Sequence, residues 1–245
     1  MLWSIRELQG YTLEATDDTF GAVADIYFHD VGWVARYVVA DTRRWLPGRQ
    51  ALIPLGELKQ PDRDKKTFSV SLTRQQVEEA PSLAADEPVS RQHEEDLHAY
   101  FGWRPYWVRG PFEGPVPTVE RAREYEGEEE EPIAEDAKKQ GGHDRHLRSA
   151  GEIQGYDVHA GDEDVGHVED LVLDDESWLV KFIVINTRDF LPGGKNLVVA
   201  TDRVEAISWE ESSVRLTLDR DKVEALPELT GAKPTHEELM AVRKG

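Results

Sequence analysis

Short runs of alternating apolar and polar residues, broken by turn residues, extend from Gly10 to Leu72. This spacing predicts consecutive short strands, as in a small barrel or sandwich, and not strands alternating with helices. The first strand is expected from Gly10 through Ala15, and a turn over Asp17–Gly21 in which Gly21 can take positive φ. A second strand comes next over Val23–Phe28, then a further turn over Asp30-Val31-Gly32, and the strongest strand over Trp33–Ala40, rich in β-branched and aromatic residues. Within it Ala35, Tyr37 and Val39 share one face and Val34, Arg36 and Val38 the other. The Ala35 set is expected inside. After Leu46-Pro47-Gly48, strands are expected over Ala51–Leu55 and Thr67–Leu72, joined by a turn at Pro61–Asp64. Thr73 reads as the N-cap of a short helix reaching Ala80, with Pro81 preventing its continuation. A second helix is expected over Ser90–Phe101, with Leu97, Tyr100 and Phe101 as a buried stripe and Gly102 as its end.

The pattern then recurs. Residues 4–55 and 149–200 align without gaps at 19 identities in 52 positions, among them Gly10/Gly155, Tyr11/Tyr156, Gly21/Gly166, Asp25/Asp170, Trp33/Trp178, Arg43/Arg188 and Pro47/Pro192. With a one-residue shift, residues 67–83 and 213–229 share six of 17. An internal repeat decides how many folding units to expect, and here the number is two. The expected domains are 1–109 for the first repeat with a helical aromatic tail, 110–145 for a linker, and 146–245 for the second repeat with a short C-terminal helix. Residues 110–145 hold eleven acidic against five basic residues, with Pro111, Pro115, Pro117 and the Glu128 to Glu131 run, a composition that reads as solvated linker.

Charge narrows the partners. Forty-nine acidic against 29 basic residues give a formal net charge of -20, which repels phosphate backbones and anionic headgroups, so nucleic acid is not an expected partner. No cysteine is present, which removes disulfides, thiolate metal sites and a cysteine nucleophile. The first residues carry no basic segment leading into an apolar core, and no apolar run approaches the roughly 20 residues that span a bilayer. A cytoplasmic protein without direct membrane insertion is expected.

The segments Gly155-Tyr156, Asp164-Val165-Gly166-His167-Val168-Glu169-Asp170, Trp178 to Arg188 and Leu191-Pro192-Gly193 resemble the PRC-barrel domain. That family includes the cytoplasmic part of the photosynthetic reaction centre H subunit and the C-terminal part of a ribosome maturation factor. The likeness covers roughly residues 4–83 and 149–229, and Glu94 to Leu97 with Tyr100 to Trp103 resemble the tail of soluble bacterial tandem members. It implies a mainly β chain of two small antiparallel PRC-type barrels in tandem, each with short helices after it, with no catalytic activity and a habit of docking on other macromolecules. The expected function is therefore a non-enzymatic structural or adaptor protein acting through protein contacts, with a homodimer as one form. The alternatives are an accessory of a reaction-centre-like membrane electron-transfer complex and, from another class, a metal- or small-molecule-dependent enzyme with its site between the barrels.

Asp25/Asp170 and Arg43/Arg188 could bind a carboxylate or phosphate. They could equally form ion pairs or side-chain-to-backbone bonds, and a residue kept in both copies is first of all needed by the shared fold. Asp25, Trp33, Arg43, Pro47, Asp170, Trp178, Arg188 and Pro192 are accordingly expected to be structural. Tyr100, Phe101, Trp103, Tyr106 and Trp107, which have no counterpart in the second copy, are the candidate partner contact. The eight histidines lack metal-ligand pairing, the acidic loops at Asp162–Asp164 and Asp174–Glu176 lack calcium-loop spacing, and no nucleophile or phosphate-loop motif occurs. Catalytic, cofactor and metal residues are thus expected to be none.

Overall fold

A computed structural model describes residues 1–42, 49–81, 83–84, 89–107, 146–190 and 194–229. The expected linker at 110–145, the Leu46-Pro47-Gly48 corner and the residues Arg43, Pro47 and Pro192 lie outside the described residues. Strand makes up 46% and helix 21%, so the chain is mainly β. Among the described residues no helix is long and apolar enough to cross a membrane.

In chain order the first repeat gives β1 (Leu2–Ser4), α1 (Ile5–Leu8), β2 (Thr12–Glu14), β3 (Thr19–His29), β4 (Val34–Asp41), β5 (Arg49–Pro54), β6 (Thr67–Ser69), α2 (Arg74–Glu79), β7 (Leu83–Ala84) and α3 (Arg91–Phe101). The second gives β8 (Leu147–Ser149), β9 (Asp157–Ala160), β10 (Glu163–Asp174), β11 (Leu179–Asn186), β12 (Asn196–Ala200), β13 (Val204–Ser208), β14 (Ser213–Leu216) and β15 (Glu228–Leu229), with short helices over Ala150–Ile153 and Arg220–Glu224. The caps agree with the sequence. Thr73 accepts from the Gln76 backbone N–H while the Gln76 side chain accepts from the Thr73 backbone N–H, a reciprocal capping box. Replacing Thr73 by alanine removes the hydroxyl that accepts from Gln76 N–H, while the backbone N–H of residue 73 can still donate to the Gln76 side chain, and should cost about 1 kcal/mol in urea unfolding. Gly102 ends α3 at φ 69, a conformation that glycine adopts without a Cβ penalty.

Two compact units form, and their edges cross the repeat boundaries. The C-terminal unit takes Met1–Leu8 and Trp33–Ala35 together with Ser149–Gly245, while the N-terminal unit takes Gln9–Gly32 and Arg36–Arg148.

In the C-terminal unit β10 is the organising strand. It pairs antiparallel with β9 and β11, and its last residues also take β1, with Leu2 opposite Asp174 and Ser4 opposite Val172. Beyond it β11 pairs with β12 and β12 with β15, while β14 pairs in parallel with β9 and carries β13. Register shifts between Val168 and Asp170 and between Val172 and Leu173 bend β10, which is how a long strand adapts to a curled sheet. Gly166 is required on the same strand, because a Cβ there would meet the Asn186 carbonyl oxygen. Leu2, Val172, Val184, Val198 and Leu229 form a buried cluster with Phe182 packed on it. The strand starts of the two repeats meet here as well: Ala35 N–H donates to the Trp178 carbonyl and Val180 N–H to the Trp33 carbonyl, each at 2.8 Å.

In the N-terminal unit β2 pairs antiparallel with β3 and in parallel with β6, β4 pairs with β5, and β8 pairs with β3. Tyr37, Val39, Leu52 and Leu97 share a core cluster, so α3 covers the face of β4 that carries Tyr37 and Val39. The expectation that Val34 and Val38 face outward is corrected: Val38 is 0% exposed and Val34 is also buried, leaving only Arg36 half-exposed on that face. A strand covered on both faces is apolar at nearly every position, so alternation alone does not tell its sides apart. Tyr100 is corrected likewise. It lies on the exposed side of α3, whereas Leu97 is buried and Phe101 half-buried. Gly21 does not serve through positive φ; its Cβ would run into the Asp41 carbonyl oxygen, so the glycine is there for close backbone approach.

Candidate functional site

The densest collection of chemically capable side chains sits in the N-terminal unit, between β4, α3 and the tail after Gly102. Tyr37 projects from β4 with its hydroxyl donating to Glu94 Oε1 at 2.9 Å and lying 2.8 Å from His98 Nε2. Tyr106 of the tail donates to the same Glu94 oxygen at 2.9 Å. Arg91, one helical turn before Glu94, pairs with Glu94 Oε2 at 3.1 Å. Glu94 is 0% exposed, and Arg91 and His98 are also buried. Two hydroxyl donors and one ion pair on the same carboxylate answer the cost of burying its charge.

Aromatic rings close the cluster. The Arg91 guanidinium lies 4.1 Å from the Trp107 ring centroid and the Arg36 guanidinium 4.1 Å from that of Tyr106, both cation–π geometry. His98 meets Trp107 at 4.9 Å and Trp103 at 5.9 Å between ring centroids. Phe101 and Trp103 stack at 4.0 Å, and Trp103 Nε1 donates to Glu57 at 2.7 Å. Burial holds the His98 imidazole below its ordinary pKa despite backbone hydrogen bonds that raise it, and the Arg91 charge adds to the lowering. Since the Tyr37 hydrogen goes to Glu94, a neutral His98 completes the set by donating Nε2–H to the Tyr37 oxygen. Burial and the Glu94 charge push the Tyr37 phenol well above its ordinary value. Tyr37 and His98 therefore both remain neutral near pH 7.

Of the expected partner-contact residues, Phe101, Trp103 and Tyr106 pack against the core of their own unit. Trp107 is half-buried against Arg91 and His98, and Tyr100 remains 42% exposed with its ring edge-on to Phe101. The set is thus divided between fastening and surface.

The repeated acids do something else. Asp170, 1% exposed, accepts from the Ser4 hydroxyl and from the backbone N–H groups of Arg6, at 3.1 Å, and Leu171, at 2.8 Å. Ser4 in turn accepts from the Glu7 N–H at 3.0 Å, opening α1 as Ser149 opens its own short helix through Glu152 N–H. Asp25, half-buried, accepts from its neighbour Ile26 N–H at 2.7 Å, the same bond that Asp170 makes to Leu171. Arg188 is exposed and is directed by its backbone N–H to Asn186 Oδ1 at 3.0 Å; among the described residues no ion pair joins it to Asp170. Arg188→Met should therefore change stability by no more than about 0.5 kcal/mol in a urea melt. Trp33 and Trp178 both sit half-buried at φ 55 and 56, opening β4 and β11 from a left-handed turn position.

A second repeated acid, Asp30/Asp175, is not among the sequence candidates. Asp175 accepts from the Met1 ammonium and from Trp3 Nε1 at 2.8 Å, fastening β1 within the C-terminal unit. Asp30 accepts from His146 Nδ1 at 2.8 Å and Arg148 Nε at 2.9 Å, fastening the segment that leads into β8 within the N-terminal unit. Burial pushes the Asp30 carboxyl up, but the bonds and charges of His146 and Arg148 outweigh it and hold the group below its ordinary value. The identity of Asp30 and Asp175 in the repeat alignment is the signal that finds this pair.

Among the described residues no group of three or more histidine, aspartate or glutamate side chains is placed to hold a metal ion. No protein-family model matches this chain, and no curated protein matches it.

Proposed function

We propose that this chain is a tandem PRC-barrel-type protein with a non-enzymatic, structural or adaptor role, working through contacts with another protein. The supporting observation is how Glu94 is used. The Tyr37 and Tyr106 hydroxyls donate to its Oε1 and Arg91 forms an ion pair with its Oε2, so this group holds α3 and the aromatic tail on β4. Asp170 and Asp175 likewise hold backbone segments in place. The duplicated and buried acids are fasteners, and the last turn of α3 presents Tyr100 to solvent.

The recognised class is a protein with a basic face. A formal charge of -20 favours such a partner and disfavours nucleic acid and anionic membranes. The test is tagged capture of the full chain from its native cells, with the recovered proteins identified by mass spectrometry and each candidate remixed in purified form. The expected result is one purified protein that binds directly, with affinity falling about tenfold or more on Tyr100→Ser and on raising salt. Recovery of the chain alone, or binding indifferent to Tyr100 and to salt, would overturn the proposal.

A further inference from the structure

The residues Met1–Leu8 complete the C-terminal unit although Gln9, the next residue, already belongs to the other unit. The fastenings of this arm land on the stretch from Glu169 to Asp175. β1 pairs with Val172 to Asp174, Trp3 reaches Asp175, Ser4 and the Arg6 N–H reach Asp170, and the Arg6 guanidinium reaches Glu169. Leu2 also enters the buried cluster of Val172, Val184, Val198 and Leu229. Trp3 and Asp175 lie 172 residues apart in the chain, so connectivity does nothing to define these bonds.

The pivot follows directly on the arm. Gly10 adopts φ +85 and donates its N–H to the Val23 carbonyl at 2.8 Å, so it stays anchored in the N-terminal unit while the arm departs through the half-buried Gln9. We propose that two copies of the chain exchange this arm, each Met1–Leu8 segment pairing along β10 of the other copy. All the bonds are then kept and only the tether changes, which makes exchange a low-cost route to a dimer. The competing term is the tether itself, which holds the arm at an effective concentration on the order of millimolar. Mutual repulsion of two acidic chains opposes association, and salt screens it over about 8 Å at physiological strength.

The absence of cysteine permits a direct test. Arg6→Cys and Glu169→Cys replace a partly exposed pair, and each is introduced into a separate population of full-length chain. The populations are mixed and treated with a short bismaleimide. A covalent dimer linked between positions 6 and 169 is expected, rising about tenfold as concentration is raised tenfold toward the millimolar range, increasing with salt, and suppressed by excess synthetic peptide of residues 1–8. The double variant reports the intrachain contact, and Arg6→Cys mixed with Tyr100→Cys controls for random encounter. Equal yield from that control, or no mixed dimer where the double variant cross-links within one chain, overturns the proposal. Independently of any cross-link, a light-scattering mass of one chain for the unmodified protein at about 1 mM also overturns it.

Discussion

Asp170→Ala is expected to destabilise the C-terminal unit by about 3 kcal/mol, among the largest losses available from a single side chain in that unit. The carboxylate is 1% exposed and is the common acceptor for the Ser4 hydroxyl and the Arg6 and Leu171 backbone N–H groups. Alanine leaves those donors without an acceptor, at about 1–3 kcal/mol for each buried group that water does not reach. The total stays below a simple sum because the wild-type carboxylate is itself disfavoured in this place. Burial raises the Asp170 carboxyl pKa above its ordinary value, against the opposing hydrogen bonds from Ser4, Arg6 and Leu171.

Asp170→Asn separates the two effects. Its amide oxygen can accept from the two backbone groups while its NH2 donates to Ser4 Oγ, so it should lie within about 1 kcal/mol of wild type. The pH dependence has a fixed sign. A carboxyl whose folded pKa is raised contributes stability that is fully present below its unfolded pKa, about 4, and lost as pH rises through the folded pKa. Wild type should therefore fall relative to the asparagine variant across that window, measured as the difference between two urea-unfolding series and by hydrogen exchange in β10 and β1. A difference that stays constant with pH would defeat this account of Asp170.

How much of this was legible in the sequence depends on the range of the interaction. Thr73 and Gly102 act within one helical turn, and local composition names the one as an N-cap and the other as a helix end, as the structure has them, whereas Ser90, expected as the first helical residue, is the N-cap of α3. The repeat singles out Asp170 by duplicating it, but its partners were not legible, since Ser4 lies 166 residues away and alternation describes a strand without saying what pairs with it. For the same reason the three residues of β1 gave no periodic signal, yet they decide which unit the first eight residues join. Glu94 sits in the run His93-Glu94-Glu95-Asp96, which reads as a solvated helical face. It is buried because α3 turns that position toward Tyr37, and nothing within the run announces it. The contrast with the second copy held the clue. Tyr37 corresponds to Phe182, so the hydroxyl that reaches Glu94 is present only where the aromatic tail is.

Glu94→Ala should cost the N-terminal unit about 3–5 kcal/mol, because removing one member of a buried pair strands the other. Arg91 would keep a buried guanidinium without its carboxylate, and the Tyr37 and Tyr106 hydroxyls would lose their acceptor together. Tyr37→Phe removes one donor, places in β4 the residue that β11 carries at Phe182, and should cost only about 1 kcal/mol. Because both substitutions act through Glu94, their double variant should fall short of the summed costs. Acid acts on the same cluster through His98. With its folded pKa depressed by burial first of all, His98 contributes stability that is present above the unfolded value of about 6.5 and lost as pH falls below it toward the folded pKa. Amide protection factors in α3 and the tail, which allow for the slowing of intrinsic exchange in acid, should therefore fall between about pH 7.5 and 5 in wild type, and this loss should be largely absent in His98→Gln, whose amide can still donate to the Tyr37 oxygen. An undiminished acid response in His98→Gln would place the titration elsewhere. Additive losses for Tyr37→Phe and Glu94→Ala would show that the carboxylate is not the shared anchor of β4, α3 and the tail.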